Sequence, residues 1–166
     1  MNRLLVGCVV ALPLGAAAQT VLNEPALSAN AAIEVARAAL AHCRRDGQKV
    51  TVTVVDHTGR AKVMLRDDGA APHSGEHSFR KAYTALTYKM PSADYGRRAA
   101  EAKGNAIGPQ LLPNITTAAG GVPIRSGNSV IGAVGVSGTP ASGGGGAGDA
   151  KCAEAGIEAI ARDLGK

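Results

Sequence analysis

Apolar and polar positions recur with two different periods along this chain, and each period marks an element. Ile33, Ala36, Leu40 and Cys43 fall at i, i+3, i+7 and i+10, one face of a helix. Ser28 or Asn30 can cap that helix, it runs to about residue 45, and Asp46-Gly47 stops it. Val50-Thr51-Val52-Thr53-Val54 then alternates with the period of a half-buried strand. Asp56-His57-Thr58-Gly59 reads as a hairpin turn, leading into a second strand at about 61–66. A loop follows, and Ser74 can cap a helix over about 75–89. Pro91 separates it from another helix over about 93–103, and 104–117 is loop-like. Gly120-Gly121 precedes a strand at 122–125, and Ser126-Gly127-Asn128 turns the chain into a further strand at 130–137. Asp149 can cap a last helix whose apolar face is Ala153, Ile157, Ile160 and Leu164. The order is helix, hairpin, two helices, hairpin, helix. That order predicts an α+β fold, a single compact domain with helices layered on an antiparallel sheet.

The first residues follow neither period. Arg3 gives a positive start, Leu4 to Leu14 is apolar apart from small residues and Pro13, and Ala16-Ala17-Ala18 supplies the small-x-small pattern of a signal peptidase site. Residues 1–18 therefore read as a cleavable secretory signal peptide, and residues 19–166 as one domain. The apolar run is too short for a permanent anchor, and no later segment reads as a membrane span. Leu5-Val6-Gly7-Cys8 has the form of a lipoprotein cleavage box but lies too early, with almost no hydrophobic stretch ahead of it. The expected location is periplasmic or secreted.

Composition narrows the partners. The 166-residue chain carries a formal net charge of +5, with its basic residues dispersed. Three Tyr, one Phe and no Trp offer no stacking platform for single-stranded nucleic acid, and export argues against a nucleic-acid role as well. Gly143 to Gly146 is a glycine run, but no Gly-Lys-Ser/Thr follows to make it a phosphate loop. Cys8 leaves with the signal peptide. Cys43 and Cys152 remain and fit no zinc spacing. At this level they are either a disulfide or two buried thiols.

Several short motifs now line up in order. They are Val52-Thr53-Val54-Val55-Asp56 with Gly59, then Leu65-Arg66-Asp67-Asp68-Gly69-Ala70, then Arg80-Lys81-Ala82-Tyr83-Thr84-Ala85. Later come Gly120-Gly121-Val122-Pro123-Ile124 and Ile131-Gly132-Ala133-Val134-Gly135-Val136-Ser137-Gly138, with Asp149, Ala153 and Gly156 in the closing helix. Over about residues 27–164 the chain resembles the GlcG/HbpS-like family of heme-binding proteins, related to the C-terminal domain of PduO-type proteins. The resemblance implies a roughly five-stranded antiparallel sheet covered by helices, assembly into a homo-oligomer, and heme as cofactor. Exported relatives resemble this chain in placing one Cys at the end of the first helix and another at the start of the last, which implies a Cys43–Cys152 disulfide. Small residues at Ile131-Gly132-Ala133-Val134-Gly135 would allow close packing between copies.

Four His are candidates for chemistry. His42, near the end of the first helix, suits the helix dipole, and His57 belongs to a turn. His73-Ser74-Gly75-Glu76-His77 has the H-x-x-E-H form of an inverted zinc-protease motif, but Pro72 and Gly75 place it at a helix start and no third ligand suggests itself. For the heme that the resemblance implies, His73, in the loop between the second strand and the next helix, is the first candidate for an axial ligand of the iron and His77 its substitute, with Arg66, Arg80 and Lys81 as cations for the propionates. Met64 and Met90 are second ligands or apolar filler. In the alternative reading His77 is a polar residue at a helix start and the cations form a solvated face. Asp56 serves the turn, and no Ser-His-Asp or Cys-His order stands out as a triad. The expected function is an exported heme-binding protein acting as carrier, scavenger or redox-linked sensor. The alternatives are a binding protein for another small molecule and a small enzyme on the same fold.

Overall fold

The computed structural model describes residues 24–102, 112–140 and 146–165, so the signal peptide and most of the glycine run lie outside the described residues. The elements are α1 (Ala29–Arg45), β1 (Thr51–Asp56), β2 (Ala61–Arg66), α2 (Ser74–Tyr88), α3 (Ser92–Glu101), β3 (Gly121–Ser126), β4 (Ser129–Ser137), α4 (Ala147–Glu158) and a single turn, α5 (Ala161–Leu164). Among the described residues the sheet has four strands in the order β2-β1-β4-β3, every pair antiparallel. The α+β architecture is the one expected. The fifth strand implied by the family resemblance has no counterpart among the described residues, where the two hairpins supply all four strands.

The alternation in β1 sorts its side chains onto two covered faces. Val52 and Val54 enter the main core with Val35, Cys43, Ile124, Val134, Val136 and Cys152, under α1 and α4. Thr51 and Thr53 face α2, where Thr51 Oγ1 and Ser74 Oγ lie 2.7 Å apart and Thr53 Oγ1 and Ser78 Oγ also 2.7 Å. The expected half-buried strand is therefore buried on both sides, all of Thr51 to Val55 being inaccessible. Each hydroxyl pair adds about 1 kcal/mol net, and losing one partner costs about 1–3 kcal/mol. This polar seam sets both the height and the register of α2 on the sheet.

The caps differ from the sequence reading in two places. Ser28 does cap α1, accepting from Ala31 N at 3.1 Å. Ser74, however, is the first residue inside α2, and His73 takes the capping position without a side-chain bond. The Ser74 hydroxyl is drawn downwards to Thr51 and to the Ala71 carbonyl. Asp149 lies in the first turn of α4 but does not cap it. Its carboxylate accepts from Thr139 N at 2.9 Å and pairs with Lys81.

Two apolar faces also differ. The buried face of α1 is Ala32, Val35, Ala36, Ala39, Leu40 and Cys43, which leaves Ile33 37% exposed. The closing helix breaks at Ala159, so Ile160 is buried from the break while Ile157 and Leu164 are only partly covered. Gly132 and Gly135, expected to serve contacts between copies, are enclosed within the protomer. A Cβ on Gly135 would strike the Ser78 carbonyl and stand 2.6 Å from Ala82 N, and one on Gly132 would meet the Val55 carbonyl. Glycine lets α2 settle directly on β4.

Cys43 and Cys152 form a disulfide, with Cα atoms 5.6 Å apart across 109 residues of chain. It joins the end of α1 to the middle of α4 beneath the sheet.

Candidate ligand site at the start of the central helix

The site grows from one row of the sheet. Register places Arg66, Thr51 and Ser137 side by side on β2, β1 and β4. Ser74 seats the first turn of α2 on the middle of that row. The loop leading into α2 is fastened from behind. Arg44 Nε and Nη2 donate to the two Asp67 carboxylate oxygens at 3.1 and 2.7 Å, and Asp67 is buried. The Arg44 hydrogen bond holds the Asp67 carboxyl below the usual carboxylate range. Arg66 Nη2 donates to the Ala70 carbonyl at 2.6 Å and closes the loop from the other side.

That frame presents two imidazoles one helical turn apart. His77 N donates to the His73 carbonyl at 3.0 Å, and the ring centroids are 6.4 Å apart. His73 is exposed. His77 is half-buried, and its Nδ1 lies 3.3 Å from Ser137 Oγ. Burial is the largest influence on this imidazole and pushes its pKa below 6.5. Lys81, His73 and Arg80 act in the same direction, and Asp149 opposes them. The ring is therefore neutral at neutral pH. When Nδ1 donates to Ser137, Nε2 presents its lone pair, the arrangement found in oriented metal-binding histidines.

The predicted cations divide. Arg80 lies at the surface, its Nε 3.1 Å from Glu76, and Arg66 is also exposed. Lys81 turns inwards: its Nζ is 2.7 Å from Asp149, and both side chains are 3% exposed. An ammonium held there is a bracket between α2 and α4 rather than a surface cation. Glu76 of the H-x-x-E-H motif faces Arg80 and not the two His. Met64 stands 48% exposed on the other flank of α2, its sulfur 3.6 Å from where a Cβ on Gly75 would be.

The remaining candidates lie elsewhere. His42 Nδ1 is 2.8 Å from Arg45 in the last turn of α1. His57 lines a groove of about 550 Å³ with Tyr83, Leu86 and Val130, at the opposite end of α2. Met90 also lies beyond that far end, near Arg98. Sequence reasoning missed Ser137 as the partner of His77. Its one signal was a small polar residue closing a strand that from Val130 to Val136 holds only Val, Ile, Gly and Ala.

A four-stranded sheet clasped between a disulfide-linked helix pair and a histidine-bearing helix defines a small α+β class of protein. Within it, the chain belongs to the HbpS-like family: the model described as haem degrading protein HbpS-like matches residues 27–158. A double mutant of Streptomyces reticuli HbpS shares 32% identity, over 91% of this chain and 98% of its own, at a TM-score of 0.77. The structure of a PduOC:heme complex shares 26% identity, over 82% of this chain and 96% of its own, at a TM-score of 0.71. The uncharacterised 15.0 kDa protein of the dhaT-dhaS intergenic region of Citrobacter freundii is 36% identical over 110 residues, 65% of this chain and 77% of that protein. Among the described residues no helix is long and apolar enough to cross a membrane.

Proposed function

We propose that this is an exported heme-binding protein, a carrier, scavenger or redox-linked sensor that works as a homo-oligomer. The observation that carries the proposal is the neutral, half-buried His77 imidazole, engaged at Nδ1 by Ser137 and standing one turn from His73. The residues fit the group. Either imidazole would offer a nitrogen donor to heme iron, which would supply redox chemistry there. Arg66 and Arg80 place guanidinium groups near the same helix start, where carboxylates pair with them well. Exposed Met64 adds an apolar flank. The heme-bound PduOC neighbour and the family description support the same ligand.

In this reading His77 is the first choice of iron ligand and His73 the second, because only His77 has a hydrogen bond to orient it. Lys81 is a positioning residue, holding α2 against α4. Bound heme supplies iron redox chemistry, and the chain's own part is to orient one imidazole and keep it unprotonated. The family's description as haem degrading favours a second reading, in which bound heme is consumed. Decay of the Soret band under a supplied reductant or peroxide separates consumption from holding.

Titration of the purified protein with hemin tests the proposal. A specific Soret band is expected. His77→Ala shifts or abolishes it, His73→Ala weakens it, and His42→Ala and His57→Ala leave it in place. An unchanged spectrum from the His73/His77 double variant removes the ligand assignment, and no specific band in the wild type removes heme altogether. Export is read separately: N-terminal sequencing of periplasmic material should begin at Gln19 or within a residue or two, and an intact Met1 would refute it.

A further inference from the structure

The outer face of α1 carries a pattern that complements itself. Asn30, Ile33, Glu34, Arg37, Ala38 and Ala41 lie diametrically opposite the buried face of the helix. With Ala159 at the rim they line a shallow groove of about 640 Å³. Ile33 is one of three large hydrophobic residues exposed among the described residues. Glu34 and Arg37 carry opposite charges one turn apart, and among the described residues neither takes part in an ion pair.

We infer that this face docks on the same face of a second copy of the chain, with the two α1 helices antiparallel about a two-fold axis between Val35 and Ala36. A two-fold there brings Glu34 opposite Arg37 of the second copy, and Arg37 opposite its Glu34. It sets the bulky Ile33 over the small Ala38 and Asn30 over Ala41, each twice. An isologous contact requires this reciprocity: every residue meets the one that its own symmetry mate presents. The reverse, parallel arrangement would align Glu34 with Glu34 and Arg37 with Arg37. The small side chains at 38 and 41 let the helix axes approach to the usual 8–10 Å or so. The occupant is therefore a second copy of this chain and not an acidic or basic partner, because the face has charges of both signs in balance.

The inference rests on the homo-oligomeric part of the proposed function and is independent of heme. Sedimentation velocity on the intact protein over a micromolar concentration series tests it. The wild type should associate reversibly into even-numbered species. Arg37→Glu, which places like charges opposite each other, should weaken association by about tenfold or more. Glu34→Arg should do the same. The doubly reversed Glu34→Arg/Arg37→Glu protein restores opposite charges and should recover association to near the wild-type level. Ile33→Asp should abolish association while circular dichroism stays unchanged, since Ile33 contributes little to the core. An oligomer indifferent to Ile33→Asp and Arg37→Glu overturns the surface but leaves oligomerisation standing. A double variant no better than the single ones also overturns the pairing. A wild type that stays monomeric overturns both.

Discussion

Lys81 and Asp149 meet at 2.7 Å with both side chains 3% exposed, joining the central helix to the closing helix across 68 residues of chain. Asp149 also accepts from Thr139 N, so three segments converge on one carboxylate. The backbone makes room: a Cβ on Gly120 would stand 2.7 Å from the Asp149 Cβ, and one on Gly121 would strike the Lys81 carbonyl. Removing one member of a buried pair leaves an uncompensated charge, which costs about 3–5 kcal/mol. Asp149→Ala should therefore lower stability to urea by an amount in that range. Lys81→Met/Asp149→Leu removes both charges and should come closer to the wild type than either single change. A double variant less stable than Asp149→Ala would show that the pair is not the source of the effect.

His77 predicts a pH dependence whose sign follows from burial. Its folded pKa lies below 6.5, so the unfolded chain binds the proton more readily. The contribution is complete above about 6.5 and is lost as pH falls through the folded value. Stability measured from pH 7.5 down to about 5 should fall more steeply in the wild type than in His77→Gln. Parallel curves would mean that the imidazole is as free to protonate in the fold as out of it. The same shift bears on binding, since a neutral imidazole is the iron-binding form. Hemin binding should persist further into mild acid than it would for an unperturbed histidine.

The disulfide closes a long loop. In the chain-entropy model a bridge over 109 residues stabilises by about 4–5 kcal/mol, through the unfolded state. Native protein should be lighter by two hydrogens than the reduced chain, and reduction should lower the denaturation midpoint substantially. Two freely alkylated thiols in native protein would contradict the bridge. The start of α2 lies on the other face of the sheet, so reduction should weaken hemin binding only as far as it unfolds the protein.

The succession of elements along the chain and most of their boundaries were legible because alternation and turn residues are local signals, whereas the strand order β2-β1-β4-β3 was not. Strand β2 was read at the observed 61–66, and the hairpin turn at Asp56 is held by that residue's own carboxylate, accepting from Thr58 and Arg60. The burial of the second β1 face was not legible. Thr51 and Thr53 look solvent-facing in a sequence, and only the Ser74 and Ser78 hydroxyls above them satisfy their burial. The same seam misled the cap assignment, since a serine before a helix looks like a cap whichever way its hydroxyl turns. Lys81 looked like a surface cation beside Arg80. Its partner lies 68 residues away, and no spacing rule reaches that far. Ile33 fitted a helical face by period alone, but the period does not say which of two apolar faces the sheet takes. His73 and His77 were legible as a pair, whereas the Ser137 hydrogen bond that distinguishes them depends on the pairing of β1 with β4.

Two glycines near the site should respond in opposite directions to the same substitution. Gly75 lies in α2 between His73 and His77, and an added Cβ meets only the Met64 sulfur, at 3.6 Å, an ordinary contact. Gly75→Ala should raise stability by about 0.5–1 kcal/mol, because alanine loses less backbone freedom in a helix. Gly135 lies under the same helix, where an added Cβ strikes the Ser78 carbonyl and crowds Ala82. Gly135→Ala must lift α2 from β4 and should cost about 1–3 kcal/mol or more. That lift also parts His77 from Ser137, the contact that orients the imidazole. Gly75→Ala should keep the hemin spectrum of the wild type, while Gly135→Ala should weaken binding even where the protein remains folded. Folded Gly135→Ala protein with undiminished hemin affinity would mean that the seating of α2 on β4 does not govern the site.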